Sequence, residues 1–520
     1  SKGQPSHGEA AVSTAENGVF RGRGTVSLQL AREAGMWMSV AGATSAGRDH
    51  YYPELVADPA DPAAERGANG LPIDGHARGV DGFNAGMVNG RLWYKAFSVQ
   101  WFLTHRDKVL PTGEYGGILG DPRSRFADTR AFFEARFEPR LGATAQLFTR
   151  ASFDTYDFAG DTAYPAPDGV SRDRYRGRWG GTEVRLVLAP LPALRLTLGA
   201  EAIAHLQTRQ AGADDLGPYL FDANGNAGRN DPFFVGAGYA LADVVASRTL
   251  RVSAGARLDY YSSLATFDPG AATNPRVAVI WKPYDRGNLK VLAGKAFRAP
   301  SVYELYFANA TQVAPVNLQP EQVYSGEVEH SHRFSSAVVG SVAAFANYVT
   351  NLVELRDIGG GVNQYANSTA PVFVAGGEVE LRREWRQGFM ASAQYTLQRA
   401  QYVDAPALRR VPNSPEHLAS LKGAAPILGR ALALMTRLSF DGPRPDRNDL
   451  EPGPPQRETS VGVVWDLVLY GEIERLQARY NVGVYNAADA RYDTVPSSEF
   501  RQRTLVQNGR TFLASLAVRF

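Results

Sequence analysis

Apolar residues recur at every second position along most of the chain, and the closing stretch, residues 510–520, shows this most plainly. Phe512, Ala514, Leu516, Val518 and Phe520 fall on one side of an extended strand; Thr511, Ser515, Ala517 and Arg519 fall on the other, with Leu513 the exception. One side suits hydrocarbon and the other is small and polar, the inside-out arrangement of a transmembrane β-strand. An open sheet edge in lipid leaves backbone groups unsatisfied at several kcal/mol each, so this last strand must close on the first.

The same alternation organises the rest. Residues 9–16 give a weakly patterned first strand, and 24–31 a better one with Val26, Leu28 and Leu30 on one side. A turn at Glu33-Ala34-Gly35 leads to a strand over 36–44, and the Asp-, Pro- and Gly-rich residues 45–78 read as a long loop. Strands over 80–88 and 92–105 are expected to meet at Asn89-Gly90, because both residue types tolerate positive φ. Strand pairs 132–137 with 143–153, 179–188 with 194–206 and 233–245 with 248–261 have short turns. The stretches 106–127, 154–174 and 207–231 read as long loops. Five further pairs follow, the last being 461–469 with 473–485 across Tyr470-Gly471-Glu472. The predicted fold is an all-β, transmembrane antiparallel β-barrel of about 22 strands, with short periplasmic turns, long extracellular loops and both termini in the periplasm. A β-propeller would instead show a repeat of about 40 residues and no alternation of short and long connections.

Composition sharpens this picture. Glycine (52), Phe (25) and Tyr (23) are abundant, and no run approaches the roughly 18 apolar residues of a membrane helix. Cysteine is absent, which suits an oxidising envelope compartment. The net charge of +2 lacks the basic excess that nucleic-acid binding requires, so no nucleic-acid partner is expected.

Residues 294–306 read Gly-Lys-Ala-Phe-Arg-Ala-Pro-Ser-Val-Tyr-Glu-Leu-Tyr. Asn317-Leu318-Gln319-Pro320-Glu321 with Glu327 follows, then Asn347-Tyr348 with Asn351-Leu352-Val353, Tyr365 with Asn367, Gly377-Glu378-Val379-Glu380, residues 412–417, residues 481–486 with Arg491-Tyr492, and residues 509–520. In this order they resemble the barrel domain of TonB-dependent outer-membrane transporters over residues 289–520; the first half of the chain is similar in pattern only. The resemblance implies a bacterial outer-membrane location and uptake of a metal chelate such as a ferric siderophore. The implied partners are outer-membrane lipids and lipopolysaccharide, TonB, a plug domain and the small-molecule chelate. Members of the family carry the plug ahead of the barrel. Residues 1–8 look like the junction that follows it, with the barrel over 9–520, so the plug is expected to be absent from this chain. The alternative is a plugless passive pore, or an anchoring barrel subunit bound to other envelope proteins. The motifs themselves are expected to specify the barrel, with Pro300 and Pro320 keeping a loop's ends out of the ladder and Phe520 similar to the family's assembly signal.

Candidate ligand-binding residues fall into three groups. His50, Tyr51 and Tyr52, with Asp49 and Glu54 beside them, could meet a metal chelate, against ordinary solvated loop polarity; no metal-ligand set is assigned. By strand parity Arg251, Arg257, Arg475, Arg479 and Arg519 project inward, where they either attract an anionic cargo or bond carboxylates of the wall or plug. Arg298, with Tyr303, Tyr306 and Phe307 in the loop that follows, could grip cargo from above or pack locally. Residues 301–316 contain no histidine, which weighs against haem. His105 and Asp107 lack a third catalytic partner, so no catalytic residue, enzymatic activity or resident cofactor is assigned.

Overall fold

A computed structural model of the chain describes residues 6–60, 65–67, 70–262, 272–309, 311–386, 388–403, 409–446 and 457–520. Among them, 22 long strands close into one antiparallel barrel. They are β1 (His7–Ala15), β2 (Val19–Ala31), β3 (Ala34–Ser45), β4 (Phe83–Tyr94), β5 (Phe97–Val109), β6 (Arg125–Phe137), β7 (Ala145–Ala163), β8 (Val170–Leu191), β9 (Leu194–Asp214), β10 (Phe233–Val245) and β11 (Leu250–Tyr261). The second half comprises β12 (Ala272–Trp281), β13 (Gly287–Arg298), β14 (Glu321–Arg333), β15 (Val338–Thr350), β16 (Val372–Arg386), β17 (Phe389–Tyr402), β18 (His417–Leu428), β19 (Leu432–Asp441), β20 (Gly462–Ile473), β21 (Ala478–Tyr485) and β22 (Thr511–Arg519).

Closure is direct. β1 pairs with β22 in the register Glu9↔Arg519, Val12↔Leu516 and Ala15↔Leu513. The Gly8 amide donates to the Phe520 carbonyl at 2.7 Å, and the Phe520 amide returns to Gly8 O at 3.0 Å. A Cβ on Gly8 would lie 2.3 Å from the Phe520 ring, so a larger residue there displaces that terminal, largely exposed side chain. Val12, Leu516 and Phe512 are exposed on the outer face, as the alternation requires of residues that meet lipid.

The inner face of β6–β11 carries a ladder of charges. Arg150 contacts Glu183 at 3.2 Å and Glu201 at 2.8 Å, and Arg257 contacts Glu201 and Asp259 at 2.8 Å each. Each part-solvated pair contributes little alone, but the shared carboxylates fix the arginines against the wall.

Several predicted boundaries move. Asn89-Gly90 lies inside β4, and the turn falls at Lys95-Ala96, where Lys95 takes φ 52°. Gly90 is in the strand because a Cβ there would come within 2.4 Å of the Trp101 ring and 2.8 Å of Trp37 O, so packing of a large neighbour outweighs the turn signal. Tyr470-Gly471-Glu472 likewise belongs to β20. The turn sits at 474–477, and a Gly471 Cβ would fall 2.0 Å from Ala431 O. Residues 154–174 are mostly strand: β7 and β8 continue beyond the apolar belt as a ribbon, with Phe158↔Tyr175 and Asp161↔Arg172 in register. Residues 207–214 extend β9 in the same way. Polar cross-strand pairs such as Arg174–Asp161 at 2.7 Å hold this ribbon, so apolar alternation does not mark it. The first strand begins at His7, and residues 1–5 of the expected junction lie outside the described residues.

Candidate functional site

The motifs in the second half interlock above the barrel. Arg298, closing β13, contacts both oxygens of Glu304 at 3.0 and 2.9 Å and both of Glu321 at 2.7 and 2.9 Å. Glu304 also completes a capping box with Ser301, which starts the short helix α1 (Val302–Tyr306) immediately after Pro300. Asn367 accepts from the Gln319 amide at 2.7 Å and donates to the carbonyls of Gln319 and Asn351 at 2.8 Å each. Leu305 and Leu318 are buried together beneath Tyr306 and Tyr365.

This framework sets Tyr303 and Phe307 against the β8 ribbon. Their rings stack at 4.6 Å, and Tyr175 from the β8 ribbon lies 6.0 Å from Tyr303 and 6.5 Å from Phe307. Phe158 stacks on Tyr175 at 5.3 Å and meets Phe126 edge-on at 5.2 Å; Tyr365 meets Tyr303 at 6.2 Å. Tyr303, Phe307, Tyr175, Phe158 and Phe126, together with Tyr115, Tyr164 and Phe500, line a cavity of about 330 Å³ at the extracellular end, with Tyr365 behind Tyr303.

The connection over 486–510 lies across this mouth as a strap. Asn486 anchors its ends, donating to Ala490 O at 2.8 Å and Asn508 O at 3.1 Å. In between, the Tyr115 amide donates to Glu499 O at 2.7 Å, Gln502 Nε2 to Thr112 O at 2.7 Å, and Arg501 pairs with Glu65. Arg503 pairs with Asp446, and the Val495 amide reaches Asn413 Oδ1 at 3.3 Å.

Burial pushes the Tyr164 phenol up to about 12, with Asp173, Glu114 and Asp168 adding to it. Tyr365 rises to about 12 through burial, then Glu499 and Glu304. Tyr115 and Tyr303 are also raised, by burial first and nearby groups including Glu499 second. These phenols therefore remain neutral hydrogen-bond donors at neutral pH.

The structure brings only part of the predicted residue set to this cavity. Tyr303 lines it; Tyr306 packs under the Arg229 guanidinium at 4.2 Å, and Arg298 is committed to its two glutamates. His50 lies 3.2 Å from Asp81, which also pairs with Lys108. Tyr52 belongs to a buried loop cluster with Ile73, Ala77, Val80 and Leu119, and exposed Tyr51 packs on His76 at 4.4 Å. Arg479 stands at the seam and contacts Glu9 at 2.7 Å. Arg475 falls in the 3-10 turn Glu474–Leu476, where the strand parity that pointed it inward does not apply. Tyr115, Phe158, Tyr175 and Glu499 were not singled out from sequence. Phe126, Phe158 and Tyr175 share inward parity at the tops of β6–β8, a signal hidden when those stretches are read as loops.

An inside-out barrel with loops folded over an aromatic mouth defines an outer-membrane receptor barrel, and its place is the bacterial outer membrane. The family model described as TonB dependent receptor-like, beta-barrel matches residues 67–504, and the chain belongs to that family. No curated protein sequence matches it. Among solved structures it is similar to the copper transporter OprC, at 15% identity and TM-score 0.74 over 99% of this chain and 80% of that one. It is also similar to a mutant of the ferric enterobactin receptor PfeA from Pseudomonas aeruginosa, at 15% identity and TM-score 0.73 over 100% and 81%. The ferric-catecholate import receptor Fiu from E. coli K12 aligns at 14% identity and TM-score 0.71 over 99% and 82%. These likenesses are of fold. The family and these relatives are receptors and transporters.

Proposed function

We propose that the chain forms the barrel of an importer that takes up a metal chelate, such as a ferric siderophore, and captures it in the aromatic cavity. In this reading TonB and a plug domain are its working partners, and outer-membrane lipids and lipopolysaccharide surround its apolar belt. The observation that carries the reading is the convergence of rings from β6–β8, α1 and residues 115, 164 and 307 under a strap that narrows the mouth. Such a mouth favours capture over the free diffusion of a plugless pore. The relatives named for ferric enterobactin, ferric catecholates and copper support a metal-containing cargo.

The test is uptake of radiolabelled ferric chelates by a strain lacking the gene and complemented with the wild type or with Tyr303→Ala/Phe307→Ala. The expected result is chelate uptake with the wild type and at least about tenfold less with the double variant at equal barrel abundance, since each lost aromatic contact is worth about 1 kcal/mol. Uptake unaffected by deletion, for every chelate tried, would sink the proposal.

A further inference from the structure

The cavity is aromatic, but it is also acidic. Two carboxylates line it, Asp173 and Glu499, against one cation, Arg501. Arg501 is already neutralised by Glu65. Asp173 accepts from Tyr219 Oη at 2.7 Å, and burial raises its pKa against the lowering effect of that bond and of Arg174. Glu499 Oε2 is buried and has no hydrogen-bond partner among the described residues. A carboxylate oxygen withdrawn from water with no donor costs free energy, and a bound cation or N–H donor relieves that cost. Tyr115, Tyr175, Tyr303 and Phe307 line the same cavity, and aromatic π-systems attract positive charge. Glu499 lies beside Tyr115, whose amide donates to the Glu499 carbonyl at 2.7 Å, and it adds to the burial that raises the phenols of Tyr115, Tyr303 and Tyr365.

We propose that this cavity receives a positively charged group, an ammonium or a guanidinium, carried by the cargo. This rests on the reading of the cavity as the capture site and narrows it to chelates bearing a cationic arm. The volume of about 330 Å³ is at the small end for ligand pockets, which suits an arm and not a whole chelate. The arginines of the β6–β11 wall do not counter this, because Arg150 and Arg257 are held by their own carboxylates.

The experiment is a ligand-observed NMR titration of the purified full-length protein in micelles, with choline and its uncharged isostere 3,3-dimethylbutan-1-ol as probes. Choline is expected to bind at least about tenfold more tightly than the alcohol, and Glu499→Gln to abolish most of that preference without lowering the thermal unfolding temperature. If Glu499→Gln fails to fold, Asp173→Asn is expected to reduce the preference in its place. Equal binding of the two probes, tighter binding of the alcohol, binding of neither, or an unchanged preference in the folded variants overturns the inference. Chelate uptake with no choline preference removes this inference and leaves the import reading; choline preference with no chelate uptake does the reverse.

Discussion

Asn367 shows what single residues do in the second half of the molecule. Its one amide ties the Gln319 and Asn351 backbones together, so it joins three loop segments with three hydrogen bonds. Asn367→Ala leaves part-buried backbone groups unpaired and should cost about 1–3 kcal/mol. The expected readout is proteolytic cleavage near residues 311–320 in folded barrels, where the wild type resists; equal resistance would show that the motif does not hold the loop. This role was legible in outline, since Asn317 to Glu321, Tyr365 and Asn367 stood out as a motif set expected to build the barrel and not to choose its cargo, whereas Arg298 of the same set was also offered as a cargo contact. What they bond to was not legible, because partners such as Asn351 and Asn367 meet only after the loops fold inward. Gly90 failed as a turn signal for a related reason: its packing against Trp101 depends on a neighbouring strand.

At the scale of the strand, the period-two pattern located the membrane-spanning parts of nearly every element, because lipid outside and polar wall inside impose it. Where lipid no longer bears on the outer face, as in the ribbon of β7 and β8 above residue 154, the pattern lapses while the ladder continues. That ribbon supplies Phe158 and Tyr175, so the aromatic cavity was the least readable part of the site. Strand parity gives a sharp test in β22. Leu516→Arg places a charge against hydrocarbon at a cost of about 2–4 kcal/mol near the midplane, whereas Ser515→Arg points into the lumen. In a chaperone-free folding assay into liposomes, the first should lose folded yield and the second should retain it; equal yields would reverse or cancel the assigned faces.

The whole molecule depends on one seam. β1 was the least convincing strand in the sequence, yet it completes the ring, with Glu9 bridging Arg23 of β2 and Arg479 of β21 on the inner face. Everything proposed above, from the lipid-facing belt to the acidic aromatic mouth, needs that ring to be closed in this register. Gly8 and Phe520 exchange both backbone hydrogen bonds, so pairs alternate from there and Ser13↔Ser515 is a close, non-hydrogen-bonded pair at about 4.5 Å between Cα atoms. That is within the range a disulfide spans, and the chain contains no other cysteine. The most direct measurement is therefore oxidation of Ser13→Cys/Ser515→Cys in outer membranes, read as the mobility of the boiled, unreduced protein. The account predicts near-complete conversion to a circularised species that reducing agent reverses, and little for Ser13→Cys/Leu516→Cys, whose side chains point to opposite faces. No cross-link for the first pair, or equal cross-linking for both, would contradict the closed barrel.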